Sequence, residues 1–321
     1  MRSLGRLGTD TQGAGGNLQS DINGALGTLK VTGDVKEAFV SVTGGADGII
    51  AIINIGGSLI GGSATNSGKI SSSGNMVFGA TIGGDVQGGS GPGTGVIQSG
   101  GNLGTVSGFF NTDIHIGGSL IGGSGLVSGA LLSGGEMGLV RIAHDVHGGE
   151  GARSGYVRSG GKLAGVIIGG SLIGGSLISG TSIESMNNLN GAVLSVGDMG
   201  SVKILHDLVG GSISPVNNFT SGGNNRSGAI ASLGRIANVT IGGSLIGGSI
   251  AGPPPGFLYS SNFSGAIHSV LDMGAVKIGN NLTGGRITGE TESCRSGVVE
   301  SSGRILSVRI GGSVISAIEP S

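Results

Sequence analysis

Two adjacent histidine–aspartate pairs, His144-Asp145 and His206-Asp207, occupy the same position in two copies of a recurring segment. A histidine beside a carboxylate can act as a general base or, with His147, as a metal ligand. Neighbouring strand residues point to opposite faces, however, and His147 aligns with Gly210 in the second segment, so the set does not recur. We therefore predict no catalytic residue and no metal site, and keep these five residues as weak metal candidates only.

The stretch IGGSLIGGS could hold a phosphate or form turns, and it occurs at Ile55–Ser63, Ile116–Ser124, Ile168–Ser176 and Ile241–Ser249. A phosphate-binding loop of the Walker type needs a lysine after its last glycine, and none follows here. Calcium-binding β-rolls repeat G-G-x-G-x-D every nine residues, whereas only Gly44–Asp47 approaches that pattern. The stretch therefore predicts turns and no cofactor, and structural calcium along an aspartate column stays open.

A groove of the pectate-lyase type would combine acids with an outward Lys or Arg as base. Arg141, Lys203, Asp145 and Asp207 could supply such a groove. The basic position also holds Lys30, Lys277 and Arg309, which suggests one cation per two coils and a register column. We predict that the chain is not an enzyme, and a carbohydrate-active β-helix is the alternative.

Composition indicates many short strands joined by tight turns. Of 321 residues, 75 are glycine, 37% are hydrophobic and 11% are charged, which is unlike a disordered chain. The net charge of −1 predicts no nucleic-acid partner, and the single Cys294 excludes an internal disulfide. The uncharged run Gly48–Gly68 contains too many glycines for a membrane helix, so we predict buried strands there and no membrane span.

An internal repeat of about 26 residues covers nearly the whole chain, and we predict one solenoid domain over residues 1–321. A unit of three short strands cannot bury a core alone, but stacked copies can. The pattern predicts an all-β fold, a parallel β-helix or β-solenoid of about ten coils, with a β-propeller or stacked β-sandwich as the alternative. One apolar anchor marks each unit: Leu26, Ile50, Met76, Leu103, Met137, Leu163, Met199, Ile236, Met273 and Ile305.

Two outward columns alternate by coil and predict a two-coil period. One column alternates acid and base from Glu136 onward, which would place opposite charges side by side and fix the register. Its members are Asn75, Asn102, Glu136, Lys162, Asp198, Arg235, Asp272 and Arg304. The second column alternates Asp or Asn with Ser: Asp34, Ser58, Asp85, Ser119, Asp145, Ser171, Asp207, Ser244, Asn281 and Ser313.

Insertions cluster in residues 177–295, at one corner after Gly-Gly-Ser. Loops stacked on one edge of a solenoid commonly form the binding face. This long-loop subregion contains four of the nine aromatic residues, which we predict as a ligand-binding loop surface: Phe219, Phe257, Tyr259 and Phe263.

The unit G-x-L-G-x-V-x-I-G-G-S/D-L-I-G-G-S resembles those of repeat-rich, planctomycete-like exported bacterial proteins. It is also broadly similar to β-helical passengers of adhesins and autotransporters. The resemblance implies a non-enzymatic structural or adhesive segment, extracellular or at the cell surface, although no signal-peptide core follows Met1. Neither end shows a polar cap, so we expect a piece of a longer protein, or ends covered by other solenoid chains or domains. Surface glycans are the other expected partner, and a polysaccharide-binding or polysaccharide-cleaving β-helix is the alternative function.

Overall fold

The computed structural model describes residues 18–105, 112–178, 189–214, 226–251, 262–288 and 294–316. Within these ranges the chain forms β-strands and no α-helix, with one 3-10 turn at Gly45–Asp47. The strands wind through ten coils, and each coil contributes one strand to each of three sheets. The predicted β-solenoid is therefore confirmed.

Coils 1 to 6 contain eighteen strands, three per coil. In chain order they are β1 (Leu18–Asn23), β2 (Leu26–Val31), β3 (Val35–Lys36), β4 (Ala38–Thr43), β5 (Ile50–Ile55), β6 (Leu59–Ile60), β7 (Lys69–Ser72), β8 (Ala80–Ile82), β9 (Val86–Gln87), β10 (Val96–Ser99), β11 (Ile114–Ile116), β12 (Leu120–Ile121), β13 (Ala130–Ser133), β14 (Met137–Ile142), β15 (Val146–His147), β16 (Tyr156–Ser159), β17 (Leu163–Ile168) and β18 (Leu172–Ile173).

Coils 7 to 10 contain sixteen strands, because a short additional strand comes before the first-sheet strand of each of these coils. The strands continue as β19 (Leu177–Ile178), β20 (Leu189–Ser195), β21 (Met199–Ile204), β22 (Leu208–Val209), β23 (Ile213–Ser214), β24 (Arg226–Ser232), β25 (Val239–Ile241), β26 (Leu245–Ile246), β27 (Ile250–Ala251), β28 (Asn262–Ser269), β29 (Met273–Ile278), β30 (Leu282–Thr283), β31 (Ile287–Thr288), β32 (Cys294–Ser301), β33 (Ile305–Ile310) and β34 (Val314–Ile315).

Three parallel sheets of ten strands run the length of the solenoid. The first sheet begins with β1 and β4, the second with β2 and β5, and the third with β3 and β6. The strands β19, β23, β27 and β31 form a fourth parallel sheet. Propeller blades and sandwiches consist of antiparallel strands, so both alternative folds are excluded. At ~4.8 Å per coil the rod is about 50 Å long.

The ten predicted anchors pair with one another in sequence. Leu26 pairs with Ile50, Ile50 with Met76, and the series continues without a break to Met273 and Ile305. The register is therefore the one that the repeat alignment predicts. The longer intervals before coils 7 to 10 open between a third-sheet strand and the next first-sheet strand, outside the three sheets.

The core lies inside the triangle of sheets. In β14 the residues Met137, Val140 and Ile142 point inward and are buried, whereas Arg141 is exposed. Equivalent inward positions hold Ile, Leu, Val or Met in coil after coil and form one continuous cluster. Burial of each such side chain stabilises the fold by about 1.5–3 kcal/mol.

In the nonapeptide IGGSLIGGS only the leucine of the Leu-Ile step points into the core. Leu59 is fully buried, but Ile60 is only half-buried and belongs to the outward column of the third sheet. Its register partners are Lys36 and Gln87. Successive strand residues alternate between faces, so only one residue of a two-residue strand can point inward.

The run Gly48–Gly68 forms β5 and β6, with Ile50, Ile53, Ile55 and Leu59 buried. It therefore contains the buried strands that its sequence predicts. In the described part of the chain no helix is long and apolar enough to cross a bilayer.

The late insertions begin at one corner, between a third-sheet strand and the first-sheet strand of the next coil. The strands of the fourth sheet start each insertion, and Leu177 pairs with Ile213. The prediction that insertions share one corner is confirmed for these residues. The insertion near Phe109-Phe110 lies outside the described ranges.

Candidate functional site

The corner between the second and third sheets carries the column of alternating Asp (or Asn) and Ser. Asp145 Oδ1 accepts a hydrogen bond from the backbone N–H of Ser171 at 2.7 Å. Ser171 Oγ in turn accepts from the N–H of Asp207 at 3.3 Å, and Asp207 Oδ1 accepts from Ser244 at 2.6 Å. The same pattern links all ten coils from Asp34 to Ser313. We call this column the Asp/Ser ladder.

The Asp/Ser ladder explains the two-coil period. Each side chain accepts the main-chain N–H of the next coil, which the glycine corner would otherwise leave without a partner. A carboxylate is the stronger acceptor, and a hydroxyl between two carboxylates keeps like charges two coils apart. Alternation therefore satisfies every corner amide without placing acid against acid.

Hydroxyl side chains line the other two corners. Between the third and first sheets, Ser154 Oγ accepts from the N–H of Gly149 at 2.9 Å, as Ser128 Oγ does from Gly123. Between the first and second sheets, the buried Ser195 donates to the carbonyl of Gly161 in the preceding coil at 2.9 Å. The polar residues that recur in the repeat thus bond to the backbone of their own or the adjacent coil.

The histidine–aspartate pairs lie at the bend between the second and third sheets, whereas the sequence had suggested that they lie within a strand. His144 and His206 are exposed, while Asp145 and Asp207 belong to the Asp/Ser ladder. Among the described residues, no hydrogen bond joins either histidine to its neighbouring aspartate. Both aspartates are therefore parts of the scaffold.

His147 lies exposed in β15, where its partners are Ile121 and Ile173. Ile173 pairs in turn with Val209, so Val209 and not Gly210 is the counterpart of His147 in the next histidine–aspartate coil. The alignment of His147 with Gly210 is wrong by one residue. No group of three or more His, Cys, Asp or Glu side chains suitable for a metal ion occurs within the ranges that the structure describes.

The corner between the first and second sheets carries the column with alternating charges. Asp198 Oδ1 accepts from the N–H of Arg235 at 2.9 Å, and Asp272 Oδ1 accepts from Arg304 at 3.0 Å. One ion pair joins members of this column in the described residues, Arg235 Nε with Asp272 Oδ2 at 4.0 Å, and it is exposed. The acids thus accept hydrogen bonds from backbone amides as well as alternating with bases, and an exposed ion pair of this kind contributes little stability.

A groove of about 540 Å³ runs beside this column through coils 6 to 10. The charged residues Lys162, Asp198, Arg235, Asp272 and Arg304 line one side of it. The residues next to the anchors also line it: Ala164, Gly200, Ala237, Gly274 and, in coil 10, the exposed Leu306. An exposed apolar ridge of Val196, Leu233, Val270 and Leu271 lies just before the charged column in the chain.

A second row of cations lies on the outer face of the second sheet. Lys203, Thr240, Lys277 and Arg309 occupy one register column in coils 7 to 10, and the three cations are exposed. Lys277 and Arg309 are direct neighbours, so the expectation of one cation per two coils fails here. Like charges in adjacent coils repel each other and cannot serve register. This stretch is a local departure from the repeat.

Phe263, predicted to belong to a loop surface, lies in β28 and is 6% exposed. It stacks between the Arg226 guanidinium, 5.6 Å from its ring centre, and the His268 ring at 5.3 Å. The left-handed Gly265 (φ 57°) lies between Phe263 and His268 in β28, and the two rings meet at a tilt of 49°. Phe219, Phe257 and Tyr259 lie outside the described residues.

Arg226, Phe263 and His268, with Arg295 and Glu300 of the next strand, form a group that we call the arginine–aromatic cluster. Several polar atoms of this cluster are buried without a hydrogen-bond partner. They include Arg226 Nε, His268 Nδ1, Glu300 Oε2 and, one strand away, Asn190 Oδ1. Arg295 Nε approaches Glu300 Oε2 only to 3.9 Å, which is an ion pair but too long for a hydrogen bond. Buried polar atoms without partners are rare in folded proteins and are enriched at functional sites.

Burial also perturbs the ionisation of this cluster. Burial lowers the pKa of Arg226 below its usual value. Burial and then the charge of Arg226 lower the pKa of His268, and the opposing effect of Glu300 is smaller. His268 is therefore held towards its neutral form, in which one ring nitrogen can accept a proton or hydrogen bond.

The sequence does contain a signal for this cluster that our repeat alignment did not use. The segments R-S-G-A-I-A-S, F-S-G-A-I-H-S and R-S-G-V-V-E-S align without gaps from Arg226, Phe263 and Arg295. Stacking these copies places the three residues in one column and His268 beside Glu300, as the register shows. The ligand-binding surface was predicted from the long loops alone, and the strands that border these loops were not considered.

No family model, curated protein or solved structure matches the chain. A function for it must therefore be inferred from its own residues and their geometry.

Proposed function

We propose that the chain is a non-enzymatic structural or adhesive β-solenoid segment of an exported or surface bacterial protein. The observation that supports this best is the use of the recurring polar residues. At all three corners they bond to backbone groups of their own or adjacent coils, as the Asp/Ser ladder does from Asp34 to Ser313. Such residues build a long rigid rod, which is the requirement of a stalk or a display scaffold.

The last described coil supports the expectation that other solenoid chains or domains cover an end of the rod. Val308 and Val314 occupy inward columns, yet they are 46% and 70% exposed. Strand edges with apolar flanks are prone to pair with further strands. Surface glycans are the second proposed partner, in keeping with an adhesive role.

The proposal is tested by incubating the purified chain with a panel of polysaccharides and assaying unsaturated and reducing-end products. We expect retention of the chain on some glycan-coated surfaces without product release. The variant His268→Gln is assayed in parallel, because product formation that depends on His268 must come from the chain itself. Product formation by the wild type that is lost in His268→Gln would overturn the non-enzymatic proposal.

A polysaccharide-binding or polysaccharide-cleaving β-helix is the second candidate function, and the arginine–aromatic cluster favours it. Arg226, Phe263 and His268 lie on the strands that follow the late insertions, and Arg226 Nε and His268 Nδ1 have no hydrogen-bond partner. A glycan array of wild type against Phe257→Ala/Tyr259→Ala tests it, with Phe78→Ala, an exposed aromatic of an early coil, as the matched control. Loss of saturable binding in the double variant alone supports this function, and unchanged binding contradicts it.

A further inference from the structure

The outer face of the second sheet and its corner with the first sheet carry two rows of cations in coils 6 to 10, and the second row departs from the two-coil alternation at Arg309. We propose that this face binds a linear, carboxylate-bearing polysaccharide lying parallel to the solenoid axis, with one sugar per coil. The inference rests on the adhesive function proposed above, for which it supplies a glycan class and a binding site.

The first observation is the placement of the cations. Lys162, Arg235 and Arg304 lie on one side of the face, in coils 6, 8 and 10. Lys203 and Lys277 lie on the other side, in coils 7 and 9, and Arg309 adds a charge in coil 10. The face therefore offers cations on alternate sides of a single track, each ~4.8 Å further along the axis than the last.

A polyuronate with a two-fold screw has the complementary pattern. Its pyranose units advance by about the distance between neighbouring coils, and successive carboxylates project to opposite sides of the chain. Each carboxylate would then meet a Lys or Arg, whose ammonium and guanidinium groups form strong charge-assisted hydrogen bonds with carboxylates. Six cations against Asp198 and Asp272 also make this face basic in a protein whose net charge is −1.

The second observation is the shape of the track. Gly200, Ala237 and Gly274 line the groove of about 540 Å³, and Leu306 adds an exposed apolar side chain in coil 10. Sugar rings present apolar C–H faces as well as hydroxyls, so a groove of small and apolar residues beside charged side chains suits them.

The two aspartates distinguish a polysaccharide from a nucleic acid. Asp198 and Asp272 each use Oδ1 for a backbone amide, which leaves Oδ2 directed to solvent or, for Asp272, towards Arg235 at 4.0 Å. They lie in coils 7 and 9, on the side where the proposed chain carries hydroxyls rather than a carboxylate. A hydroxyl donates to such an oxygen, whereas a phosphate at every step would be repelled by it. The groove also lacks, among its described lining residues, the aromatic side chains on which bases stack.

The experiment measures binding of polymannuronate oligomers to the full chain by calorimetry, with neutral mannan oligomers and oligothymidylate as competing probes. The test variant is Lys203→Glu/Lys277→Glu. The matched control is Lys30→Glu/Lys36→Glu, which changes the charge equally at exposed positions of coil 1. We expect at least about ten-fold weaker polymannuronate binding in the test variant and no change in the control. Thermal unfolding of both variants should match the wild type, because all four lysines are exposed.

Absence of polymannuronate binding, or equal weakening in both double variants, would overturn the proposal. Binding of oligothymidylate as tight as that of polymannuronate would assign the face to nucleic acid instead. A chain that still adheres to other glycans but ignores polymannuronate refutes only this binding site. Turnover of a polysaccharide that is lost in His268→Gln refutes the non-enzymatic function while leaving the groove measurement unaffected.

Discussion

Coils 3 to 6 and coils 7 to 10 share one scaffold but differ in what they carry on its outside. In coils 3 to 6 the first-sheet strands have four residues, and the corner before them is a tight turn with left-handed residues such as Asn66 and Arg153. In coils 7 to 10 these strands have seven or eight residues and the corner opens into the fourth sheet.

The inner structure is the same in both sets of coils. The anchors, the Asp/Ser ladder and the left-handed glycine before each first-sheet core residue continue across the boundary. The arginine–aromatic cluster and the second cation row lie in coils 7 to 10, and the groove with its charged column lies in coils 6 to 10. A solenoid can therefore vary one edge freely, because each coil is held by its neighbours through the other contacts.

The strongest test of a common scaffold is to disrupt the same glycine in both halves. Gly155 (φ 59°) and Gly191 (φ 54°) are left-handed, and a Cβ would overlap the carbonyl oxygens of His147 and Ile173, respectively. We expect Gly155→Val and Gly191→Val each to lower the free energy of unfolding by at least about 4 kcal/mol, or to prevent folding. Gly27→Ala, which meets nothing within 4 Å, is the control for chemical denaturation. A mild effect at Gly191 alone would show that the late coils follow a different scaffold.

The next test compares the Asp/Ser ladder in both halves. Asp145→Ala and Asp207→Ala each leave one corner amide, of Ser171 or Ser244, without its acceptor. We expect losses of about 1–3 kcal/mol in unfolding free energy, similar at the two sites. Asp145→Asn and Asp207→Asn keep an accepting oxygen and should recover most of the loss. If the Asn variants are as unstable as the Ala variants, charge rather than hydrogen bonding maintains the register.

The boundary itself has one defect that can be repaired. Asn190 occupies the buried position that Ser154 and Ser227 hold in adjacent coils, and its Oδ1 has no partner. Its Nδ2 donates to the carbonyl of Gly149 at 3.1 Å. We expect Asn190→Ser to raise the unfolding free energy by about 1 kcal/mol, because a hydroxyl there would accept the Gly175 amide. The reciprocal Ser154→Asn should lower it by a similar amount, and a stabilising Ser154→Asn would contradict this account.

The smallest expected effect is a difference between the two halves in how their stability depends on pH. The folded pKa of His268 lies below its ordinary value of 6.5, so the unfolded chain takes up a proton at a higher pH than the folded chain. The free energy of unfolding is therefore unaffected by His268 above about pH 6.5, and it falls as the pH drops towards the folded pKa of His268. Hydrogen exchange should show this loss in coils 8 to 10 before coils 3 to 6, and His268→Gln should reduce it. If His268→Gln loses as much stability at low pH as the wild type, groups other than His268 take up the proton.

The fold was predictable because its determinants are local and repeated. Anchors such as Met137 and Leu163 recur with recognisable neighbours, and a parallel stack converts that recurrence directly into register. The alternation of Asp145 and Ser171 was also visible, but its cause was not. A charge pattern and a ladder of side-chain-to-backbone hydrogen bonds give the same sequence signature.

The candidate sites were harder to predict because they depend on exposure and bending. Phe263 belongs to an aromatic-rich insertion in the sequence, yet the left-handed Gly265 and the adjacent Arg226 make it a buried stacking partner. The expected two-coil alternation of cations was simply wrong at the end of the row, because Lys277 and Arg309 each lie four residues after consecutive anchors.

By itself the sequence determined the number of coils, the parallel register and the corner at which insertions enter. Inward apolar residues and glycine corners leave a stacked chain few other ways to bury its core. The columns of outward residues follow from the repeat, and only the tertiary structure decided which of these columns come together on one face. The cation rows of coils 6 to 10 come from two columns on one sheet and its corner, and the arginine–aromatic cluster comes from three coils. Such juxtapositions depend on how each corner bends, and the residue pattern alone does not specify that bend.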